Sequence, residues 1–423
     1  MTDPLYTHLD NGLTVILQRA THAPVASFWV TYRVGSRNER SGETGISHFV
    51  EHLLFKGTPQ FSARALKRAI EREGGTWNGM TGMDATKYYA TLPAERLDLA
   101  LRIESDRMVN ARFDAADVQS ERTVIIAERE GHENSPGWRL GEEMRALAFR
   151  VHPYHHAIIG DKADLRTITR DQLYRHYQTY YAPNNAIVVA SGDFAPDVLL
   201  ARIADLFGVI PAAAPPPPVT RAEPPMAGER RVHLTGPDPT AFVHMAYRTP
   251  SVSDPDYYSL TMLDAILDGA SAQHRSSRLY QALVETELAT AVSSSYGASL
   301  DPYLFSFSAT VRDGESPADI EAALQREIER VAGEPVAERE MAKALKQVQA
   351  QIAYVTETVG GQASRLGTAE ILGDYRMLDN LLARLQAVTA ADIQRVAATY
   401  LVPTQRVIGW YTPQAAAWER SRP

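Results

Sequence analysis

The chain has 423 residues, 44% of them hydrophobic, and 51 acidic against 43 basic side chains give a net charge of −8. That length exceeds what one core usually organises, so two domains of about 200 residues each are expected. The acidic balance, with no long run of either sign, argues against nucleic acid or an anionic membrane as partner, and the lack of any cysteine excludes disulfides, thiolate metal sites and cysteine nucleophiles.

At the N-terminus, Met1-Thr2-Asp3-Pro4-Leu5 shows no basic segment leading into an apolar run, so no secretory signal is read. No window approaches the roughly 18 uninterrupted apolar residues of a membrane span. A cytoplasmic protein is expected, or a periplasmic one if Met1 stands before an otherwise mature chain. Leu13–Leu17 and Ala26–Val34 read as strands, and a helix follows that carries His48-Phe49-Val50-Glu51-His52. At about 3.6 residues per turn, two His four apart project from one face and can grip one metal ion, with Glu51 on the adjoining flank. The Glu precedes the second His, the reverse of the commoner His-Glu-x-x-His order, which places this zinc-peptidase arrangement in the inverzincin group.

Ala63–Glu73 reads as an amphipathic helix, and Asp84–Leu92 as a strand following a loop that holds Asn78. Helices are expected over Asp98–Ala111 and Ala115–Glu130. In the latter, Glu121 and Glu128 are about two turns apart and share a face, while Val124, Ile125 and Ala127 are expected to pack inward. Two His do not hold zinc alone, so one of these acids is expected to reach the metal and the other to stand beside it, leaving a fourth position for water. His152, His155 and His156 also cluster, but the adjacent His155 and His156 cannot face one way in a regular element, and no second metal site is expected there. Ala186–Ala190 returns to a strand.

The clearest change of composition is 211–225, with Ala212-Ala213-Ala214 and four consecutive prolines from Pro215 to Pro218. Such a run favours a stiff, extended segment and is read as an interdomain linker. Beyond it, Arg231–Leu234 and Ala241–Tyr247 read as strands, Tyr258–Leu267 as a helix, Asp319–Ala332 and Ala337–Thr356 as further helices, and Arg406–Trp410 as a strand. The order repeats that of the first half, without metal ligands at the equivalent place, and suggests a diverged duplication. Strands next to strands, with helices grouped, favour an α+β fold. The expected domains are 1–210, carrying the metal, and 226–423, without ligands, joined by 211–225.

The stretch Gly45-Ile46-Ser47-His48-Phe49-Val50-Glu51-His52-Leu53-Leu54-Phe55-Lys56-Gly57-Thr58 resembles the signature of the M16 metallopeptidases, the family of pitrilysin, insulin-degrading enzyme and the mitochondrial processing peptidase β subunit. The resemblance continues through Gly75–Thr81 with Asp84, Thr86, Tyr88 and Tyr89, through Tyr154 and Gly160, and through Tyr181–Asn185 to Ser191-Gly192-Asp193. It is strong over the first half and an outline over the second. It implies two homologous LuxS/MPP-like domains, each a mainly antiparallel sheet packed with helices, in a short subunit that assembles in pairs. It also implies Zn2+ held by His48, His52 and Glu128, with Glu51 as general base and Glu121 supporting catalysis beside the metal. By the same resemblance Asp84–Leu92 is an edge strand to which an extended peptide substrate adds, with Asn78 positioned to bond its main chain; Tyr88 and Tyr89 are read either as substrate-binding residues or as ordinary strand packing.

One departure stands out. Many members of that family carry an Arg and a Tyr seven residues apart in the C-terminal half, binding substrate and the reacting carbonyl. The matching positions here are Val284 and Ala291, neither of which can donate a hydrogen bond; Arg278 and Tyr296 lie nearby at the wrong spacing. The expectation is therefore a zinc endopeptidase subunit completed by a paralogous partner that supplies Arg and Tyr. A self-sufficient homodimeric peptidase and a non-catalytic structural subunit are the alternatives. The intact set at 48–52 with Glu121 and Glu128 weighs against the last.

Overall fold

The computed structural model describes residues 3–270 and 275–414. Met1 and Thr2 of the N-terminal stretch, and residues 271–274 and 415–423 of the expected C-terminal domain, lie outside the described residues. The strands are β1 (Leu5–His8), β2 (Thr14–Arg19), β3 (Val25–Tyr32), β4 (Thr76–Thr81), β5 (Thr86–Pro93) and β6 (Ala186–Gly192) in the first half, and β7 (Arg230–Gly236), β8 (Phe242–Thr249), β9 (Ala289–Tyr296), β10 (Tyr303–Val311) and β11 (Arg406–Pro413) in the second. The first-half helices are α1 (Ile46–Leu54), α2 (Ala63–Arg72), α3 (Leu97–Asn110), α4 (Ala115–Glu133), α5 (Pro136–Ala148), α6 (Lys162–Thr167), α7 (Arg170–Tyr180) and α8 (Pro196–Phe207). Those of the second half are α9 (Tyr257–Asp268), α10 (Pro317–Gly333), α11 (Glu338–Glu357), α12 (Val359–Leu372), α13 (Leu381–Gln386) and α14 (Ala390–Tyr400).

The strands form one sheet in the order β1-β2-β6-β3-β5-β4 and a second in the order β7-β11-β8-β10-β9. Apart from the added β1, the two orders are identical. The pairings also match: β2 runs parallel to β6 as β7 does to β11, and the other pairs are antiparallel. Two homologous α+β domains are thus present, and the shared strand order and pairing sense are the physical trace of duplication.

Two compact units contain these sheets: Met1–Arg129 with His156–Arg221 and Ala353–Leu378, and Glu130–His155 with Ala222–Ile352 and Asp379–Pro423. The sheets follow the halves of the sequence, but α12 packs on β2, β3 and β6 of the first sheet and α5 on β7, β8 and β11 of the second. α12 lies close because it presents glycine: a side chain at Gly367 would come within 3.3 Å of Thr31 and Val189. Residues 211–227 form neither helix nor strand, as four prolines without N–H donors require.

Burial follows sheet position. Every residue of β6, Ala-Ile-Val-Val-Ala-Ser-Gly, is buried, as suits a central strand covered on both faces, whereas β4 alternates exposed and half-buried residues. Two expectations are corrected here. Asn78 lies within β4, not in a loop, and the edge strand is β4, because Asp84–Leu92 corresponds to β5, which is paired on both sides by β3 and β4. Among the described residues, no helix is long and apolar enough to cross a membrane.

Candidate metal centre

The site is built on α1. Its N-cap, Gly45, has φ 84°, and a side chain there would collide with the Ile159 carbonyl. Glu39 accepts the Gly45 and Ser47 N–H groups at 2.8 and 2.9 Å and so satisfies donors that a helix start leaves open; burial pushes its carboxyl up to about 8. Ile46, Phe49, Val50, Leu53 and Leu54 are buried in the core, which anchors α1 by one face and turns His48 and His52 to the other. Their rings sit 4.6 Å apart, centroid to centroid.

α4 supplies the acids. Glu128 Oε1 lies 3.9 Å from His48 Nε2 and Glu128 Oε2 lies 3.6 Å from His52 Nε2. One ligand atom each from His48, His52 and Glu128 fall within 4.8 Å of one another. Glu121, about two turns earlier on the same helix, instead accepts from His52 Nδ1 at 3.0 Å and pairs with Lys56 through its other oxygen. A carboxylate on Nδ1 fixes the tautomer that leaves Nε2 free to ligate. The inward residues of α4 are Val118, Glu121, Ile125 and Arg129. This corrects the expectation for Val124 and Ala127, which are exposed: Glu121 takes an inward position because His52 and Lys56 satisfy its charge.

Glu51 points from α1 toward β4. Its Oε2 accepts from Thr81 Oγ1 at 2.6 Å, and its Oε1 lies over Gly79, where a Cβ would come within 2.9 Å. Burial pushes its carboxyl above the usual range and the Thr81 hydrogen bond pulls it back. The three donor atoms, two imidazole nitrogens and a carboxylate oxygen, are the set that suits zinc with an open position. Glu51 is an acid outside that set.

Of the expected substrate residues, Asn78 is exposed on β4, where its Oδ1 accepts from Gly79 N at 2.9 Å. Tyr89 stacks on Trp29 with centroids 4.3 Å apart. Tyr88 is corrected from substrate contact to core: it is 0% exposed, its hydroxyl lies 3.1 Å from that of Tyr181, and the Arg107 guanidinium sits 4.2 Å from its ring. Sequence reasoning gave no role to Lys56, Thr81, Gly79 or Glu39. Lys56 was within reach of a spacing argument, being four residues after His52 in the turn that follows α1.

In the second unit, Arg278 is held by Glu340 through two hydrogen bonds of 2.6 and 2.7 Å, and the Tyr296 hydroxyl donates to the Pro250 carbonyl at 3.4 Å. Val284 is half-buried and Ala291 exposed on β9. His152 pairs with Asp301 at 3.0 Å and His155 hydrogen-bonds the His152 carbonyl at 2.9 Å; the group found among the described residues that could hold a metal ion is His48, His52 and Glu128.

A duplicated α+β fold that brings two imidazoles and a carboxylate together with a separate acid beside them is an arrangement that suits a metallopeptidase. Residues 14–162 match the insulinase (peptidase family M16) profile and residues 167–348 the peptidase M16 inactive domain. An uncharacterized zinc protease of Mycobacterium bovis is 30% identical over 93% of this chain and 90% of its own. A probable mitochondrial-processing peptidase β subunit of Arabidopsis thaliana is 26% identical over 93% of this chain and 76% of its own. A protease from Helicobacter pylori of known structure superposes with a TM-score of 0.94 at 25% identity, covering 98% of this chain and 100% of that one. The chain belongs to the M16 peptidase family.

Proposed function

We propose that the protein is a zinc endopeptidase subunit that hydrolyses extended or unstructured peptides and is completed by a partner subunit supplying an Arg and a Tyr. The observation that carries this reading is the convergence of His48, His52 and Glu128 within 4.8 Å, with Glu51 held apart by Thr81. A non-catalytic scaffold has no physical need for a buried base beside such a set. His48, His52 and Glu128 would hold Zn2+, which supplies Lewis acidity toward a carbonyl oxygen and acidifies a water. Glu51 takes the proton of the water that attacks the scissile carbonyl carbon and passes it to the amine nitrogen as the C–N bond breaks. Glu121 holds His52 in its ligating tautomer. The unpaired side of β4 offers backbone groups to an extended peptide, with Asn78 at that edge to bond its main chain.

The partner enters because Val284 and Ala291 cannot donate and Arg278 and Tyr296 are committed elsewhere. Relatives named as mitochondrial-processing peptidase β subunits support a paired subunit. The test is hydrolysis of a quenched fluorescent unstructured peptide by the zinc-loaded chain, alone and co-expressed with an M16 paralogue, beside Glu51→Gln as blank. Activity that survives Glu51→Gln, or none in either preparation, overturns the proposal.

A further inference from the structure

We infer that Thr81 is a positioning residue that sets the rotamer of Glu51, so that the strand open to substrate also aims the base. The inference rests on the proposed peptidase function, and it starts from the placement of the side chains. β4 is the edge strand, paired by β5 on one side only among the described residues. Its residues alternate, with Thr76, Asn78 and Met80 exposed and Trp77, Gly79 and Thr81 half-buried. On that second set three contacts tie the strand to α1: Trp77 meets Phe55 at 4.9 Å between ring centroids, Gly79 lies against Glu51 and Phe55, and Thr81 donates to Glu51.

A glutamate side chain has three rotatable bonds, and one oxygen fixed at 2.6 Å removes most of that freedom. With Oε2 occupied by the Thr81 hydroxyl, the second oxygen, Oε1, is the one left for a proton, and it lies over Gly79, where no side chain intervenes. Thr81 is not one of the three candidate metal ligands. It acts through Glu51. The hydroxyl donates to Glu51 from outside the candidate ligand set, so removing it frees the carboxylate to rotate while leaving His48, His52 and Glu128 as they are.

The test compares wild type, Thr81→Val, which keeps the shape and loses the donor, and Thr81→Ser, which restores it, in the full chain with the partner needed for turnover. Zinc content and thermal midpoint are expected to match wild type in both variants. For Thr81→Val, kcat on an unstructured peptide is expected to fall about 10–100-fold, the worth of one hydrogen bond to a charged group, with KM unchanged; Thr81→Ser is expected to recover kcat to within about threefold. A Thr81→Val kcat within about twofold of wild type, a failure of Ser to rescue, or zinc loss in the Val variant overturns the inference. A second reading is independent of turnover: binding of a peptide hydroxamate, whose N-hydroxyl Glu51 accepts, is expected to weaken in Thr81→Val and return in Thr81→Ser. If wild type binds zinc and hydroxamate but hydrolyses nothing, the peptidase reading fails while this pattern still upholds the positioning role; equal hydroxamate affinity in all three proteins overturns it.

Discussion

Nδ1 of His52 lies 3.0 Å from Oε2 of Glu121, and Nε2 of the same ring faces Glu128 at 3.6 Å. The two acids of α4 therefore serve opposite edges of one imidazole. Replacing Glu121 with Gln removes the charge that holds the Nδ1 proton, and zinc affinity is expected to fall about 10–100-fold without being abolished. Competition with a chelator of known affinity measures it. An unchanged affinity would show that His52 keeps its tautomer unaided.

Loss of a ligand and loss of a base leave different signatures. Wild type is expected to carry about one zinc per chain. Glu128→Gln is expected to lose both zinc and hydrolysis, and Glu51→Gln to retain zinc and lose hydrolysis. Metal analysis by mass spectrometry beside a peptidase assay separates the two. The reverse pattern, zinc lost from Glu51→Gln and kept by Glu128→Gln, would mean that the roles are misassigned.

Much of this was legible before the fold was known, and the boundary is a physical one. Helical period alone places His48 and His52 together and puts Glu121 and Glu128 on one stripe, because those relations are local. Which acid meets Nε2 depends on how α4 lies against α1, and no spacing reports that. The same limit hid Thr81, thirty residues from Glu51 in sequence. Asn78 is expected in a loop, as suits a residue that favours turns, yet the pairing with β5 makes a strand of the segment; glycine stands at position 79 because Glu51 and Phe55 fill the space of a side chain. Sheet order is likewise non-local: the expectation that Asp84–Leu92 is an edge rests on resemblance alone, and pairing with both β3 and β4 overturns it.

The second unit holds a pH-sensitive pair. Asp264 and Asp268 stand one turn apart on α9, which ends at Asp268, where a helix terminus disfavours a negative charge. Burial pushes Asp264 up to about 6 against the opposing Ser294 hydrogen bond, and burial followed by the neighbouring Asp264 pushes Asp268 up to about 7. Both values lie above the roughly 3.9 of an unfolded Asp, so the stability they contribute is fully present below about pH 4 and is lost as pH rises through 6 and 7. The wild-type urea midpoint is expected to fall between pH 5 and pH 8, and that of Asp268→Asn to fall less. Parallel profiles for the two proteins would remove the pair as the cause.

An edge strand accepts chains, not folded surfaces. A peptide that adds to β4 must expose a continuous run of backbone N–H and C=O groups, and a stable globular protein has already paired its own. Unstructured peptides are expected to be cleaved, and a folded protein whose native circular dichroism is verified in the assay buffer to survive. Its efficient digestion would place the substrate elsewhere than on β4.

The last prediction concerns the Arg and Tyr proposed to come from a partner. A tetrahedral oxyanion needs donors besides a metal, and removing such a donor elsewhere costs about 2.7–4 kcal/mol, or about 10²–10³ in rate. Val284 and Ala291 offer none, Arg278 is spent on Glu340, and the Tyr296 hydroxyl on Pro250. The isolated chain is therefore expected to bind zinc fully and hydrolyse peptides weakly or not at all. Adding a paralogue that carries the Arg and Tyr is expected to raise the rate without raising zinc content, and mutating either residue in the partner to remove the gain while this chain keeps its metal. Because zinc and rate are read separately, a failure of folding or metal loading is told apart from a missing donor. An isolated chain, shown by light scattering and mass spectrometry to be free of any partner, that cleaves as fast as the mixture would replace the paired subunit with a self-sufficient enzyme.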